Sequence, residues 1–320
     1  MRYIVSLTMA WLVAAVPMQG LQAAPLGAVP AVQTKTATQA TMLSAVRAGE
    51  RIVAVGDHGV VLLSDDQGKQ WRQASSVPLS TPLTDVSFVD AKAGWAVGHW
   101  GAILATADGG ETWQVQRLST EEDRPLFAVH FFNEKQGVAV GLWSLLLTTE
   151  DGGGTWTERP LSAPPGASRA DLNLIGLFAD ARGALYATAE RGQVLRSEDQ
   201  GNSWRYLDTG YEGTLWTGTV LADGSLLLGG QRGTLLRGSM DGKDFERVPT
   251  HSKGSVTSIA VAGRRVLAVG LDGLSVQSSD GGNSFQRREM ADGASLTAAL
   301  FNADGVPVLF SRRGVVPFQD

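Results

Sequence analysis

Apolar runs of four to eight residues, bounded by Gly, Asp and Asn, recur along the chain with the spacing of short strands joined by tight turns. The segment from Trp95 to Trp113, WAVGHWGAILATADGGETW, shows the unit in full and recurs six times. It predicts strand A over residues 84–89, strand B over 95–98, strand C over 102–106 and strand D over 112–117. Each copy keeps 13 residues between a B–C turn residue and the aromatic that opens strand D: His58 and Trp71, Trp100 and Trp113, Trp143 and Trp156, Arg191 and Trp204, Arg232 and Phe245, Asp272 and Phe285. Successive aromatics lie 42, 43, 48, 41 and 40 residues apart, the period of one four-stranded blade. The pattern predicts an all-β, seven-bladed propeller over residues 41–320. Its inner strands fall at 41–46, 84–89, 127–132, 172–178, 214–220, 255–261 and 295–301.

Between strands C and D the blades carry SxDxGxxW or a near variant: SDDQGKQW, TADGGETW, TEDGGGTW, SEDQGNSW and SSDGGNSF, centred on Asp66, Asp108, Asp151, Asp199 and Asp280. An Asp here accepts hydrogen bonds from amides of its own turn, a Ser or Thr hydroxyl ties the preceding strand, and Gly supplies a positive φ. The aromatics Trp71, Trp113, Trp156, Trp204, Phe245 and Phe285 then cover the turns. This is a structural device, and its spacing lacks the oxygen ligands of a calcium loop, so neither a metal nor a cofactor is expected. EDGGGTW has no following GK[ST] and no strand-to-helix transition, which removes a phosphate loop. In the fifth blade Met240 stands where the Asp belongs and Asp241 is displaced by one, predicting a distorted turn.

The seventh copy ends in SRRGVVPFQD after strands A to C. Within residues 25–40, the stretch 27–35 is the segment able to supply the missing strand, beside 315–318, with Pro30 confining it to an outer edge. The alternative is a leader without fixed structure and incomplete closure.

Residues 1–24 read as a secretion signal, with a basic start, an apolar run of roughly 15 residues and small residues near Ala23 and Ala24. The run is short for a bilayer span. Loss of Arg2 takes the chain from 27 to 26 basic residues against 32 acidic, a net charge of −6, which disfavours nucleic acid as a partner. There is no cysteine, hence no disulfide, thiolate metal site or lipid-modified cysteine. An exported, periplasmic monomer is expected. Arg outnumbers Lys 21 to 6, a bias toward forked contacts with carboxylates or phosphates.

The repeats resemble the Asp-box, or BNR, repeats of sialidases, some endoglucanases and sorting-receptor propellers. More closely, VGxxGxILxTxDGGxTW in six copies resembles the photosystem II stability and assembly factor family of seven-bladed propellers. That resemblance implies a non-enzymatic helper that binds a protein subunit of a membrane complex, with photosynthesis as one setting and an arginine-rich patch on one face.

Strand order places the B–C turns and D–A loops on one face, opposite the Asp boxes. In ring order the B–C turn residues are His58, Trp100, Trp143, Arg191, Arg232, Asp272 and Arg313, with Asp57, His99, Glu190 and Arg312 beside them. Blades one to three offer aromatic and imidazole groups, and blades four, five and seven offer guanidinium. This suits a protein segment with apolar and acidic residues. Arg191, Arg232, Arg312 and Arg313 are the positions that could correspond to the family's patch, although the first three blades have no arginine there. An ordinary solvated face, with Glu190 neutralising Arg191 and Trp100 and Trp143 capping blade packing, is the alternative. A glycosidase is the second class: Arg191, Arg232 and Arg313 as a carboxylate-binding triad with Tyr211 and Glu212 beside it. Against it stand the short loops and the lack of a sialidase-type arginine motif before the first box. Asp85 and His130 are expected to face the central channel, and residues 160–171 form the longest D–A loop.

Overall fold

The computed structural model describes residues 29–288 and 293–317. The signal reading over 1–24 and Phe318 lie outside them. Seven antiparallel meander sheets form the ring, six of four strands and one of three, each with its strands in sequence order. The inner strands are Met42–Ala48, Leu83–Phe88, Leu126–Phe131, Leu174–Ala179, Leu215–Val220, Val256–Ala262 and Leu296–Phe301, matching all seven expected positions within two residues at each end. Strand B of every blade is buried almost throughout, because it lies between blades on both faces.

The Asp boxes form one repeated set of hydrogen bonds. In blade two the Thr106 hydroxyl donates to Asp108 (2.8 Å) and accepts from the Gly110 amide (3.0 Å), while Asp108 accepts from the Thr112 amide (3.0 Å) and hydroxyl (2.6 Å). Ser64–Asp66, Thr149–Asp151, Ser197–Asp199 and Ser278–Asp280 repeat it. The indole N–H of Trp71, Trp113 and Trp204 donates back to the carbonyl of the box glycine at 2.9–3.0 Å. Trp113 is 3% exposed and wedges edge-on against Phe88. In blade five, register puts Gly238 at the Ser position and Met240 at the Asp position. The turn is remade by Ser239, which donates to Asp241 at 2.6 Å, while Phe245 packs over Gly238 and Met240 joins the apolar cluster around Tyr186.

The closing strand expected within 25–40 is not what the described residues 29–40 form. They run as irregular backbone and one 3-10 turn, Ala37–Gln39, and the seventh sheet keeps three strands. Ala31 donates to the Val77 carbonyl (3.0 Å), the Gln33 amide to Ala74 (2.7 Å), and the Thr34 amide to the side chain of Gln73 (3.1 Å), all on blade one. Pro30 removes one donor, and the Thr34 hydroxyl takes the Thr36 amide at 3.3 Å, so the segment makes scattered contacts with blade one and a local turn instead of laddering. The 3-10 turn still seals the seam: Ala37 and Ala40 pack with Trp71, Phe310 and Val315, and a Cβ on Gly314 would meet the Thr38 carbonyl.

Deleting residues 29–40 should therefore lower the melting temperature and raise aggregation, read by thermal denaturation and light scattering, because it bares the blade-seven edge. Trp113→Ala should cost about 3–5 kcal/mol in denaturant unfolding. Trp143→Gly, at a 55% exposed residue with φ +53°, should cost less than about 1 kcal/mol or stabilise.

Candidate functional site

The last residue of strand B is glycine in five blades, Gly56, Gly98, Gly141, Gly230 and Gly270, and each lies against the start of strand A of its own blade. A Cβ on Gly56 would stand 2.0 Å from the Thr41 carbonyl oxygen, and one on Gly98 2.0 Å from that of Pro82. Blades four and seven place Ala189 and Ser311 there, and the adjoining B-to-A hydrogen bond is long, 3.4 Å (Glu190 to Asn173) and 3.3 Å (Arg312 to Ser295). With glycine the same bond measures 2.9–3.2 Å.

Where these backbones meet, the A–B register slips by one residue in every blade. The slip is a β-bulge, which turns the extra residue toward the ring axis. In blades one, three, four and five that residue is Leu43, Phe127, Ile175 or Trp216; in two, six and seven it is Thr84, Thr257 or Thr297. All seven line a cavity of about 580 Å³. The sequence reading missed them, although the glycine before the B–C turn in five of the blades was a signal.

Around the cavity stand the B–C turns. His58, Trp100, Trp143, Arg191, Arg232 and Asp272 each hold a left-handed conformation, φ between +53° and +59°. In the B–C turn of blade seven only Gly314 takes positive φ, so Arg313 sits in a differently shaped turn. Left-handed backbone costs a non-glycine residue roughly 1–2 kcal/mol. The turns are braced from the next blade: Asp123 accepts from the Trp100 amide (2.9 Å), Asn173 from that of Trp143 (3.0 Å), and the Ser295 hydroxyl from that of Asp272 (3.2 Å).

Trp143, His58, Arg191, Arg232, Arg312 and Arg313 are exposed, and Trp100 and His99 are half-buried. Glu190 does not neutralise Arg191: its carboxylate accepts from the backbone and side-chain amides of Asn173 at 3.0 and 3.1 Å. The acid near Arg191 is Asp171, at 4.0 Å, at the end of the long D–A loop. His99 faces Asp123 at 4.0 Å. Among the described residues no carboxylate lies within 4.0 Å of the guanidinium of Arg232, Arg312 or Arg313. Of these, Arg312 lines the cavity and Arg313 does not. The Tyr211 hydroxyl donates to the Gln231 carbonyl at 3.2 Å, and Arg247 covers its ring, so that hydroxyl proton is held by backbone.

Asp85 reaches the cavity wall and stitches three blades, accepting from the Ser44 hydroxyl (2.7 Å) and the Val129 amide (2.9 Å). Burial pushes its carboxyl up to about 6, against the pull of those two bonds. His130 is not among the cavity residues; it lies edge-on to Phe132, and burial pushes its imidazole down to about 4. Among the described residues no cluster of His, Asp and Glu has the arrangement of a metal site.

This geometry sets the comparisons with known proteins. Residues 73–206 match the model of the photosynthesis system II assembly factor YCF48 family. The match runs from strand D of blade one to strand D of blade four, so the resemblance carried by the repeats is to that family. A solved structure of YCF48 bound to D1 peptide superposes with a TM-score of 0.72 at 19% identity, covering 89% of this chain and 94% of that one. YCF48 from Cyanidioschyzon merolae gives 0.70 at 19% identity over 87% and 94%. The Niastella koreensis GH74 enzyme gives 0.65 at 12% identity over 91% of this chain and 53% of its own. These likenesses establish the seven-bladed ring. Among curated proteins no sequence matches.

The Asp85 carboxyl, raised in the fold above its unfolded value of about 3.9, contributes stability that is present below pH 4 and lost as pH rises through about 6. His130, lowered to about 4, acts in the opposite sense over almost the same window, so the informative quantity is a difference. Wild type minus Asp85→Asn unfolding free energy should be flat below pH 4 and fall through pH 6. Asp151, drawn down to about 2 by the Thr155 amide and hydroxyl, contributes stability present above pH 4 and lost as pH falls toward 2. Asp151→Asn should remove that acid limb.

Proposed function

We propose that this chain is a non-enzymatic, exported binding scaffold that takes up an apolar and acidic protein segment on its B–C turn face, in the service of a membrane or envelope complex. The observation that carries the reading is the row of six consecutive turns holding His, Trp, Arg or Asp in left-handed backbone. Glycine would be the less strained choice at each, so the fold itself does not call for these side chains; strain repeated at the same exposed position of six blades points to contact with something outside. Arg232, Arg312 and Arg313, without a carboxylate partner among the described residues, supply charge for an acidic segment. Similarity to the YCF48 family supports a protein as partner, since one of the similar structures is YCF48 bound to D1 peptide. The engagement of the Tyr211 hydroxyl by backbone speaks against the glycosidase alternative. The periplasm is the compartment proposed, and the monomer the working state.

Changing Arg191, Arg232 and Arg313 together to Glu should abolish capture of partner proteins from envelope extracts while shifting the melting temperature little, since all three side chains are exposed. Capture by the wild type should weaken with salt, because exposed charges are screened over roughly 8 Å at physiological ionic strength. Identical partner profiles for wild type and triple variant would overturn the reading. Turnover of a sialoside or glucan by the wild type, lost in the variant, would replace it with the hydrolase.

A further inference from the structure

We propose that the cavity at the ring axis anchors one large apolar side chain, aromatic or long aliphatic, of a peptide whose acidic neighbours rest on the rim arginines. The inference rests on the reading of the rim given above and adds what enters the ring. Three consecutive blades aim Phe127, Ile175 and Trp216 into the cavity through their bulges, and Leu43 contributes from blade one. The threonines opposite offer little to a polar ligand: the Thr84 hydroxyl is bonded to the Val97 and Leu126 carbonyls, and that of Thr257 to Val269 and Leu296. Thr297 Oγ1 is buried and has no partner among the described residues.

Charge decides what such an apolar ligand is attached to. Of the lining residues Asp85 is the one acid, and both its oxygens are already tied to Ser44 and Val129. Arg312 is the one base, exposed at the cavity and without a carboxylate partner among the described residues. The mouth is therefore apolar within and positive at its edge. At about 580 Å³ it falls within the roughly 300–1,000 Å³ range of ligand pockets, and it has room for an aromatic ring with its flanking backbone. A buried aromatic anchor inside a charged rim is the arrangement in which few residues carry most of the binding energy. A sugar would need several converging donors and acceptors, and the hydroxyls of Thr41, Ser44, Thr84 and Thr257 in these walls are already bonded within the protein.

The test uses random nonapeptides displayed on phage and selected against the full chain. Enriched sequences should hold one Phe, Trp, Tyr, Leu or Ile flanked by Asp or Glu. A synthetic peptide of the enriched sequence, titrated by calorimetry, should lose on the order of tenfold or more in affinity when its apolar residue becomes Ser, and equally with Trp216→Ala or Ile175→Arg, whose folding is checked by thermal denaturation. An acidic consensus without an apolar anchor, or unchanged affinity in a folded Trp216→Ala, would overturn the anchor and leave the rim reading standing. No enrichment at all would overturn both. Laurate bound by the wild type and lost in Ile175→Arg, with no peptide bound, would make the occupant a small amphiphile and overturn the proposal.

Discussion

Everything at the ring axis depends on how closely the end of strand B approaches the start of strand A. A β-carbon at Gly56, Gly98, Gly141 or Gly270 would stand about 2 Å from a carbonyl oxygen, far inside van der Waals contact. The absence of that carbon lets the two backbones meet, and the crowding is relieved by a bulge on strand A. One extra residue per blade then faces the axis. Where Ala189 and Ser311 replace glycine the bulge persists, but the neighbouring hydrogen bond lengthens, so the contact is a tuned distance more than an absolute requirement.

The two ends of the ring are built by different physics. On the Asp-box end side chains serve backbone: each box Asp is consumed by its own turn, Trp71, Trp113 and Trp204 donate back to theirs, Trp156 packs on Phe131, and little is left to recognise anything. On the B–C end backbone serves side chains. Left-handed turns, braced by Asp123, Asn173 and Ser295 from the next blade, hold bulky groups outward at a conformational cost. A repeat protein can thus vary one face while the other keeps its spacing.

The repeat, the strands and the distorted box at Met240 were legible because they follow from residue type at fixed intervals. The bulges were not. Register belongs to a pair of strands, and Phe127 or Trp216 reads as an ordinary strand residue until its partner is known. The glycine preceding the B–C turn in five of the blades was visible but reads as turn chemistry alone. The alternative in which Glu190 neutralises Arg191, its neighbour in sequence, does not hold in space: Asn173 occupies that acid, and Asp171 from the long loop stands near the guanidinium. The expectation of a strand over 27–35 rests on elimination, since a missing fourth strand asks for one; the described part, residues 29–35, forms none, and nothing in the period says that packing can close a seam instead.

That seam has a kinetic side. Each of the seven described sheets can form from a contiguous stretch of chain, needing little more than its own hairpins. The contact between blades one and seven, typified by the Thr41 hydroxyl on the Arg312 carbonyl, spans 271 residues. Loop closure on that scale comes late, after the local contacts have formed. Residues 29–40, the first of the described chain to be synthesised, find their last neighbours on the final blade. Until then the ring is an open arc with two bare blade faces, and the irregular clasp between Trp71 and Val315 is what ends that state.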